Sequence, residues 1–102
     1  MPKDKVLSLL GIAQKAGRVV SGEFSVEKAV KEGKACLVLV AKDASDNTKK
    51  MFRNMCSYYE VPVYVHSEKE TLGHCIGKQF RASLAVTDVG FANALKKQLS
   101  ED

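Results

Sequence analysis

The fold is decided by residues 35–41, which read Ala-Cys-Leu-Val-Leu-Val-Ala. This continuous apolar run has the length of a strand and lacks the polar alternation that a strand with one solvated face shows. It is therefore typical of a strand that other elements cover on both faces. Residues 82–87 read Ala-Ser-Leu-Ala-Val-Thr and predict a second interior strand of the same kind.

Helix-like and strand-like segments alternate on both sides of these two runs. We expect helices over residues 4–15, 22–32, 45–59, 67–77 and 90–99, and outer strands over residues 19–20 and 61–65. Asp4 and Ser45 are suited to cap the helices that follow them. Ser67 and Glu70 form a capping-box pattern. The fold class that follows is α/β, a three-layer α/β/α sandwich with a central mixed four-stranded sheet.

Length and composition narrow the class of protein. A chain of 102 residues predicts a single domain over residues 1–102 with one core. The sequence has no apolar run of about 18 residues, so we expect no membrane segment. Its cysteines are odd in number and include no C-x-x-C pair: Cys36, Cys56 and Cys75. Such cysteine usage predicts that the protein is located in a reducing cytoplasm. We also expect the protein to be a monomer.

The first half of the chain carries the whole excess of positive charge. The net charge is +4, and residues 1–51 hold ten Lys and Arg against six Asp and Glu. Within that half, residues 19–25 predict a short strand, a tight turn at Gly22 and a helix start. A helix start presents unpaired N–H groups and a partial positive charge, and Lys28 and Lys31 follow closely. This arrangement suits an anion or a nucleic acid. The alternative is a plain turn followed by solubilising lysines.

Four phrases along the chain carry a family resemblance. They are LGIAQKAGRVVSG at 10–22, ACLVLVAKDAS at 35–45, VPV at 61–63 and LGHCIGK at 72–78. In this order the chain resembles the kink-turn RNA-binding ribosomal protein family of the large-subunit seven-Ae and thirty-e type, and within it the small bacterial YlxQ-type proteins. The resemblance spans residues 6 to about 95. It implies a structured RNA as partner, ribosomal or other, and possible association with the ribosome.

The resemblance implies a first RNA-binding segment at the start of the second helix. Family members usually read G-x-N-E-x-x-K there, and Gly22 and Lys28 match this pattern. Phe24 stands at the Asn position and Ser25 at the Glu position. An asparagine can form two hydrogen bonds with a base edge, whereas a phenylalanine can only stack or pack. We therefore expect weaker binding to a standard kink-turn than relatives with the full pattern show.

The resemblance implies a second segment in the loop over residues 77–81. Lys78 and Arg81 are available for phosphates there, and Phe80 could stack on an unpaired base or belong to the core. The sequence-predicted RNA-binding residues are Ser21, Gly22, Glu23, Phe24, Ser25, Lys28, Lys31, Gly77, Lys78, Gln79, Phe80 and Arg81.

The sequence offers few candidate catalytic residues. His66, His74, Cys75 and Asp88 show neither the spacing of a zinc site nor a pattern that brings them together as a nucleophilic site. We expect no catalysis, no metal and no cofactor. The alternative function is a protein-interaction module associated with ribosome assembly or RNA processing. RNA binding through phosphates weakens steeply with salt, whereas apolar protein contacts do not.

Overall fold

The computed structural model describes residues 4–100 and alternates helices with strands as predicted. The helices are α1 (Lys5–Lys15), α2 (Glu23–Lys31), α3 (Asp46–Tyr59), α4 (Lys69–Cys75) and α5 (Val89–Ser100). The strands are β1 (Val19–Ser21), β2 (Leu37–Val40), β3 (Val63–Val65) and β4 (Ser83–Val86). The ends of the predicted domain, residues 1–3 and 101–102, lie outside the described residues, and the single domain over 1–102 stays a prediction.

The four strands form one mixed sheet in the order β1-β4-β2-β3. Strand β4 is antiparallel to both of its neighbours, whereas β2 and β3 are parallel. Helices α2 and α3 contact each other and pack on the sheet, and α1 packs with α4 and α5. These two helical groups and the sheet between them confirm the predicted α/β/α sandwich.

The two apolar runs form the centre of the core, as predicted. Val38 in β2 and Val86 in β4 are both 0% exposed, and every residue of these two strands is buried. Burying a side chain of this size stabilises the fold by about 1.5–3 kcal/mol. Strands β2 and β4 are the two interior strands of the sheet, and helices pack on both faces of the sheet, which explains why neither strand shows a polar face.

Side-chain caps begin α1 and α3, as predicted. The Asp4 carboxylate accepts hydrogen bonds from the N–H groups of Val6 at 2.9 Å and Leu7 at 3.3 Å. The Ser45 hydroxyl accepts one from the Thr48 N–H at 3.1 Å. Each cap pairs donors that the helix itself leaves unpaired.

The predicted capping box at the start of α4 is wrong. Ser67 has a left-handed backbone with φ of 64°, and the helix begins at Lys69 after Glu68, whose side chain forms no cap. The Lys69 N–H instead donates to the Asp43 carboxylate at 2.8 Å. A residue far away in sequence thus supplies the acceptor that the local pattern assigned to Ser67.

Candidate functional site

The turn before α2 requires glycine because of its backbone conformation. Gly22 has φ of 92° and ψ of 149°, a region that side-chain-bearing residues rarely adopt. Its N–H donates to the Ser83 carbonyl at 3.1 Å, and its carbonyl accepts from the Val26 N–H at 2.9 Å. Apart from Gly22 and its two chain neighbours, no atom of residues 4–100 lies within 4 Å of the position that a Cβ would take. The turn is therefore fixed by its hydrogen bonds and open on its outer side.

The first turn of α2 has unpaired donors. No side chain caps this helix, and the N–H groups of Glu23, Phe24 and Ser25 have no hydrogen-bond acceptor among residues 4–100. The side chains of all three residues are exposed. With about half a positive charge from the helix dipole, this end attracts anions and hydrogen-bond acceptors.

Phe24 is a largely exposed aromatic residue at this end of α2. The residue is 78% exposed although its side chain is large and apolar. It borders two shallow hollows, of about 290 and 310 Å³, and Lys28 lines both with it. Ser25 of the first turn also lines the second hollow, so a flat apolar ligand group can contact Phe24 there while an acceptor reaches the helix end.

The lysines of α2 differ in their pairing. The Lys31 ammonium lies 2.7 Å from the Glu27 carboxylate, and this hydrogen bond raises the pKa of Lys31. Lys28 has no acidic partner within 4.0 Å among residues 4–100. Lys28 is therefore the stronger candidate for a phosphate contact, and Lys31 is already partly neutralised.

The loop over residues 77–81 lies tightly on α4. The Lys78 N–H donates to the Gly73 carbonyl at 2.8 Å, and the Arg81 N–H donates to the Lys69 carbonyl at 3.1 Å. A Cβ at Gly73 would lie 2.4 Å from the Gln79 carbonyl oxygen, closer than any real contact of that kind. Only glycine permits this approach. Gly73 stood in one of the four family-like phrases, but nothing in the sequence indicated that it holds the loop.

Phe80 points its ring outward from this loop. It is 59% exposed, so the alternative that it belongs to the core is wrong. Gly77 has φ of 77° and follows the end of α4, and Lys78 and Gln79 are exposed beside Phe80. The loop thus presents an aromatic ring and a cation on a backbone that α4 holds in place.

The two predicted segments are adjacent in the structure. The Arg81 Nε donates to the Ser21 Oγ at 3.0 Å, across 60 positions of sequence. The Gly22–Ser83 hydrogen bond joins the start of α2 to the first residue of β4, two positions after Arg81. The open start of α2 and the Phe80 loop therefore belong to one surface.

The residues considered for catalysis lie elsewhere or lack the required chemistry. Burial raises the pKa of the Cys56 and Cys75 thiols to about 11, which leaves little of the nucleophilic thiolate at neutral pH. His66 pairs with Asp4 at 3.0 Å, and His74 is exposed on α4. Within the described part of the chain, no three His, Cys, Asp or Glu residues cluster as metal ligands.

Between residues 4 and 100, no helix has the length and apolar character to cross a bilayer.

Comparison with known proteins identifies relatives along nearly the whole chain. The model of the ribosomal protein L7Ae/L30e/S12e/Gadd45 family matches residues 4–96. The RNA-binding protein YlxQ of Bacillus subtilis (strain 168) is 48% identical over 87 residues, which are 85% of this chain and 87% of that protein. The RNA-binding protein YlxQ of Enterococcus faecium is 37% identical over 95 residues, covering 93% and 91%. These matches confirm the resemblance inferred from the four sequence phrases.

Solved structures with the same architecture include two informative ones. A protein of unknown function from Bacillus halodurans superposes with a TM-score of 0.93 at 39% identity, covering 96% of this chain and 99% of that one. The Giardia lamblia 15.5kD RNA binding protein superposes with a TM-score of 0.80 at 19% identity, covering 99% and 90%. The second likeness concerns the fold alone.

Proposed function

The chain belongs to the ribosomal protein L7Ae/L30e/S12e/Gadd45 family, and we propose that it is a non-catalytic protein that binds a structured, bulged RNA. Two relatives that carry the name RNA-binding protein support the proposal, since each matches more than four-fifths of this chain. The proposal places the protein in the cytoplasm as a monomer, with ribosomal RNA as the first RNA to test.

One observation carries the proposal, namely the uncapped start of α2, which bears one exposed aromatic ring and adjoins the loop that bears a second. The N–H groups of Glu23, Phe24 and Ser25 have no hydrogen-bond acceptor among residues 4–100. Phe24 and Phe80 are 78% and 59% exposed. A bulged RNA offers what this surface lacks: phosphate and base-edge acceptors beside unstacked bases that can lie on aromatic rings.

The proposed roles follow from the chemistry of each residue. Gly22 lets the RNA backbone approach the helix end, and Lys28 and Lys78 neutralise phosphates. Phe24 and Phe80 stack on bases that leave the helix of the RNA. The remaining predicted residues complete the surface around them: Ser21, Glu23, Ser25, Lys31, Gly77, Gln79 and Arg81.

The proposal includes a preference among RNA shapes. Phe24 and Ser25 occupy the positions where the family pattern has Asn and Glu, and neither can form the two hydrogen bonds that an asparagine amide forms with a base edge. We therefore propose that this surface prefers an RNA whose unpaired bases stack, and binds a standard kink-turn more weakly than relatives with the full pattern.

Alanine substitutions of the two exposed rings test the proposal. Stacking on an aromatic side chain is worth about 1–3 kcal/mol per base, so Phe24→Ala and Phe80→Ala should each weaken binding to a synthetic bulged RNA by that amount. The matched control is Tyr58→Ala, because Tyr58 is 79% exposed at the end of α3. Equal losses from all three variants, or no binding by the unmodified protein at low salt, would contradict the proposed site.

The alternative of a protein-interaction module has its own observation, because an exposed phenylalanine beside a shallow hollow also suits a protein partner. Crosslinking the protein in its own cells, with sequencing of the attached RNA, separates the two functions. RNA reads concentrated at defined structured sites support the proposal. Recovery of a protein partner without RNA, by contacts that persist at high salt, supports the alternative.

A further inference from the structure

Arg81 lies where the two segments of the proposed site meet, and its guanidinium group donates hydrogen bonds to other protein atoms. Its Nε donates to the Ser21 Oγ at 3.0 Å, and its Nη1 donates to the Phe80 carbonyl at 2.7 Å. Its backbone N–H donates to the Lys69 carbonyl of α4 at 3.1 Å. The side chain therefore bridges β1 and the loop instead of extending freely into solvent.

The two residues that accept these hydrogen bonds lie at the groups proposed to contact RNA. Ser21 directly precedes Gly22 and the open start of α2, and Phe80 carries the exposed ring of the loop. A guanidinium group is planar, so one side chain holds both acceptors in a fixed relation. A lysine carries the same charge but lacks this planar, rigid arrangement of donors, so its ammonium cannot hold the two acceptors in the same fixed geometry.

Resting on the proposed function, we propose that Arg81 is a positioning residue that sets the spacing between Phe24 and Phe80, with phosphate neutralisation left to Lys28 and Lys78. The other side of the loop is already fixed, because the Gly73 contact with Gln79 and the Lys78 N–H hold it against α4. Arg81 is the side chain that ties this loop to β1. A preorganised pair of rings loses less freedom on binding than two independently moving ones.

Charge-conserving and bond-deleting variants separate positioning from phosphate contact. Arg81→Lys keeps the positive charge but removes the planar guanidinium group. Ser21→Ala removes one hydrogen-bond acceptor without changing any charge. The matched controls are Arg53→Lys and Ser57→Ala, since both residues are exposed on α3. For each variant, affinity for a fluorescein-labelled RNA duplex with a short single-stranded bulge is measured over a range of salt concentrations. Backbone ¹⁵N relaxation of the free proteins reports the order of residues 78–80.

If Arg81 positions the loop, Arg81→Lys and Ser21→Ala each weaken RNA binding roughly fivefold, the effect of one lost hydrogen bond. The slope of affinity against salt stays unchanged, since no phosphate contact is lost. The order parameters of residues 78–80 fall, and the double variant binds no more weakly than Arg81→Lys because both changes break the same link. Neither control changes affinity or order.

Two results would overturn the proposal. Arg81→Lys could bind like the unmodified protein while Arg81→Ala weakens binding and flattens the salt slope by about one, which is the behaviour of a phosphate contact. Alternatively, Ser21→Ala and Arg81→Lys could leave the order of residues 78–80 unchanged. The relaxation measurement needs no RNA, so it tests the role of Arg81 even if the bulged RNA fails to bind and the proposed function is wrong.

Discussion

The starts of α1 and α2 differ in whether a side chain accepts hydrogen bonds from the first N–H groups of the helix. At α1 the Asp4 carboxylate accepts from Val6 and Leu7, so the local sequence satisfies the helix end. At α2 the cap position is Gly22, no side chain accepts, and the donors face outward beside an exposed phenylalanine. A side-chain cap such as Asp4 contributes about 1 kcal/mol relative to alanine, but glycine at the cap position costs only about a few tenths of a kcal/mol, so the open start of α2 sacrifices little stability. We propose that the cap of α1 is structural, whereas the open start of α2 receives an acceptor from a bound partner.

The strongest way to break this comparison is to give the α2 start a side chain. Gly22→Ala forces a residue with a Cβ into φ of 92° and ψ of 149°, and should lower the free energy of unfolding by roughly 1–3 kcal/mol. The cost is backbone strain, because the Cβ would meet no atom within 4 Å. Denaturant unfolding measures it. Gly33→Ala is the control, since Gly33 adopts the milder left-handed conformation with φ of 74°. A smaller loss at Gly22 than at Gly33 would contradict the argument.

Restoring the family pattern at α2 should change which RNA it binds. The double variant Phe24→Asn with Ser25→Glu supplies polar groups that can pair with base edges, and should improve binding to a standard kink-turn RNA by on the order of 1–3 kcal/mol. Equilibrium titration with that RNA measures the gain. The matched control is Tyr58→Asn with Ser57→Glu on α3, which should leave affinity unchanged. No gain, or a loss, would mean that the α2 surface suits another RNA shape.

The same contrast shows how far sequence reasoning reaches. Local patterns predicted the α1 and α3 caps, because Asp4 and Ser45 act on donors two or three residues ahead. They failed at α4, where the acceptor for the Lys69 N–H comes from Asp43 on a distant loop. The absence of polar alternation predicted the buried strands, because an unbroken apolar run of strand length is typical of a strand covered on both faces.

The segments of the proposed site follow from the sequence, whereas the contacts between these segments do not. Gly22 and the loop over residues 77–81 followed from family-like phrases, and the exposure of Phe24 and Phe80 is a property of the packed fold. The Arg81–Ser21 hydrogen bond and the Gly73 contact with Gln79 join residues whose spacing carries no signal. Such contacts depend on tertiary structure, which a single sequence does not reveal.

Removing the α1 cap should weaken the fold without affecting the proposed site. Asp4→Ala should lower the free energy of unfolding by about 1 kcal/mol, since two N–H groups lose their acceptor. Affinity for a bulged RNA should stay unchanged, because the cap belongs to the structural helix. Chemical denaturation and RNA titration of the same preparation measure both quantities. A loss of RNA affinity after correction for the folded fraction would contradict the division between α1 and α2.

The contribution of Asp4 should also depend on pH. Burial raises the pKa of Asp4, but hydrogen bonds from His66 and the helix N–H groups outweigh it, so the pKa lies below its ordinary value of 3.8. A carboxyl whose pKa is lowered on folding stabilises the protein above its unfolded pKa, and this stabilisation is lost as pH falls through the folded pKa. The difference in stability between the unmodified protein and Asp4→Ala should therefore narrow below about pH 4. A constant difference between pH 6 and pH 2 would exclude this linkage.

The smallest expected effect distinguishes the lysines along α2. Lys28 has no acidic partner within 4.0 Å among the residues described, whereas Lys31 lies 2.7 Å from Glu27. If Lys28 contacts a phosphate, Lys28→Ala should flatten the slope of log affinity against log salt by roughly one unit, and Lys31→Ala should do so by less. Stability should change by under about half a kcal/mol in each case, since both side chains are exposed. Lys50→Ala on α3 is the control, and it should alter neither quantity. Equal changes of slope for all three variants would indicate diffuse charge attraction, and the contrast between the open start of α2 and the rest of the surface would then be lost.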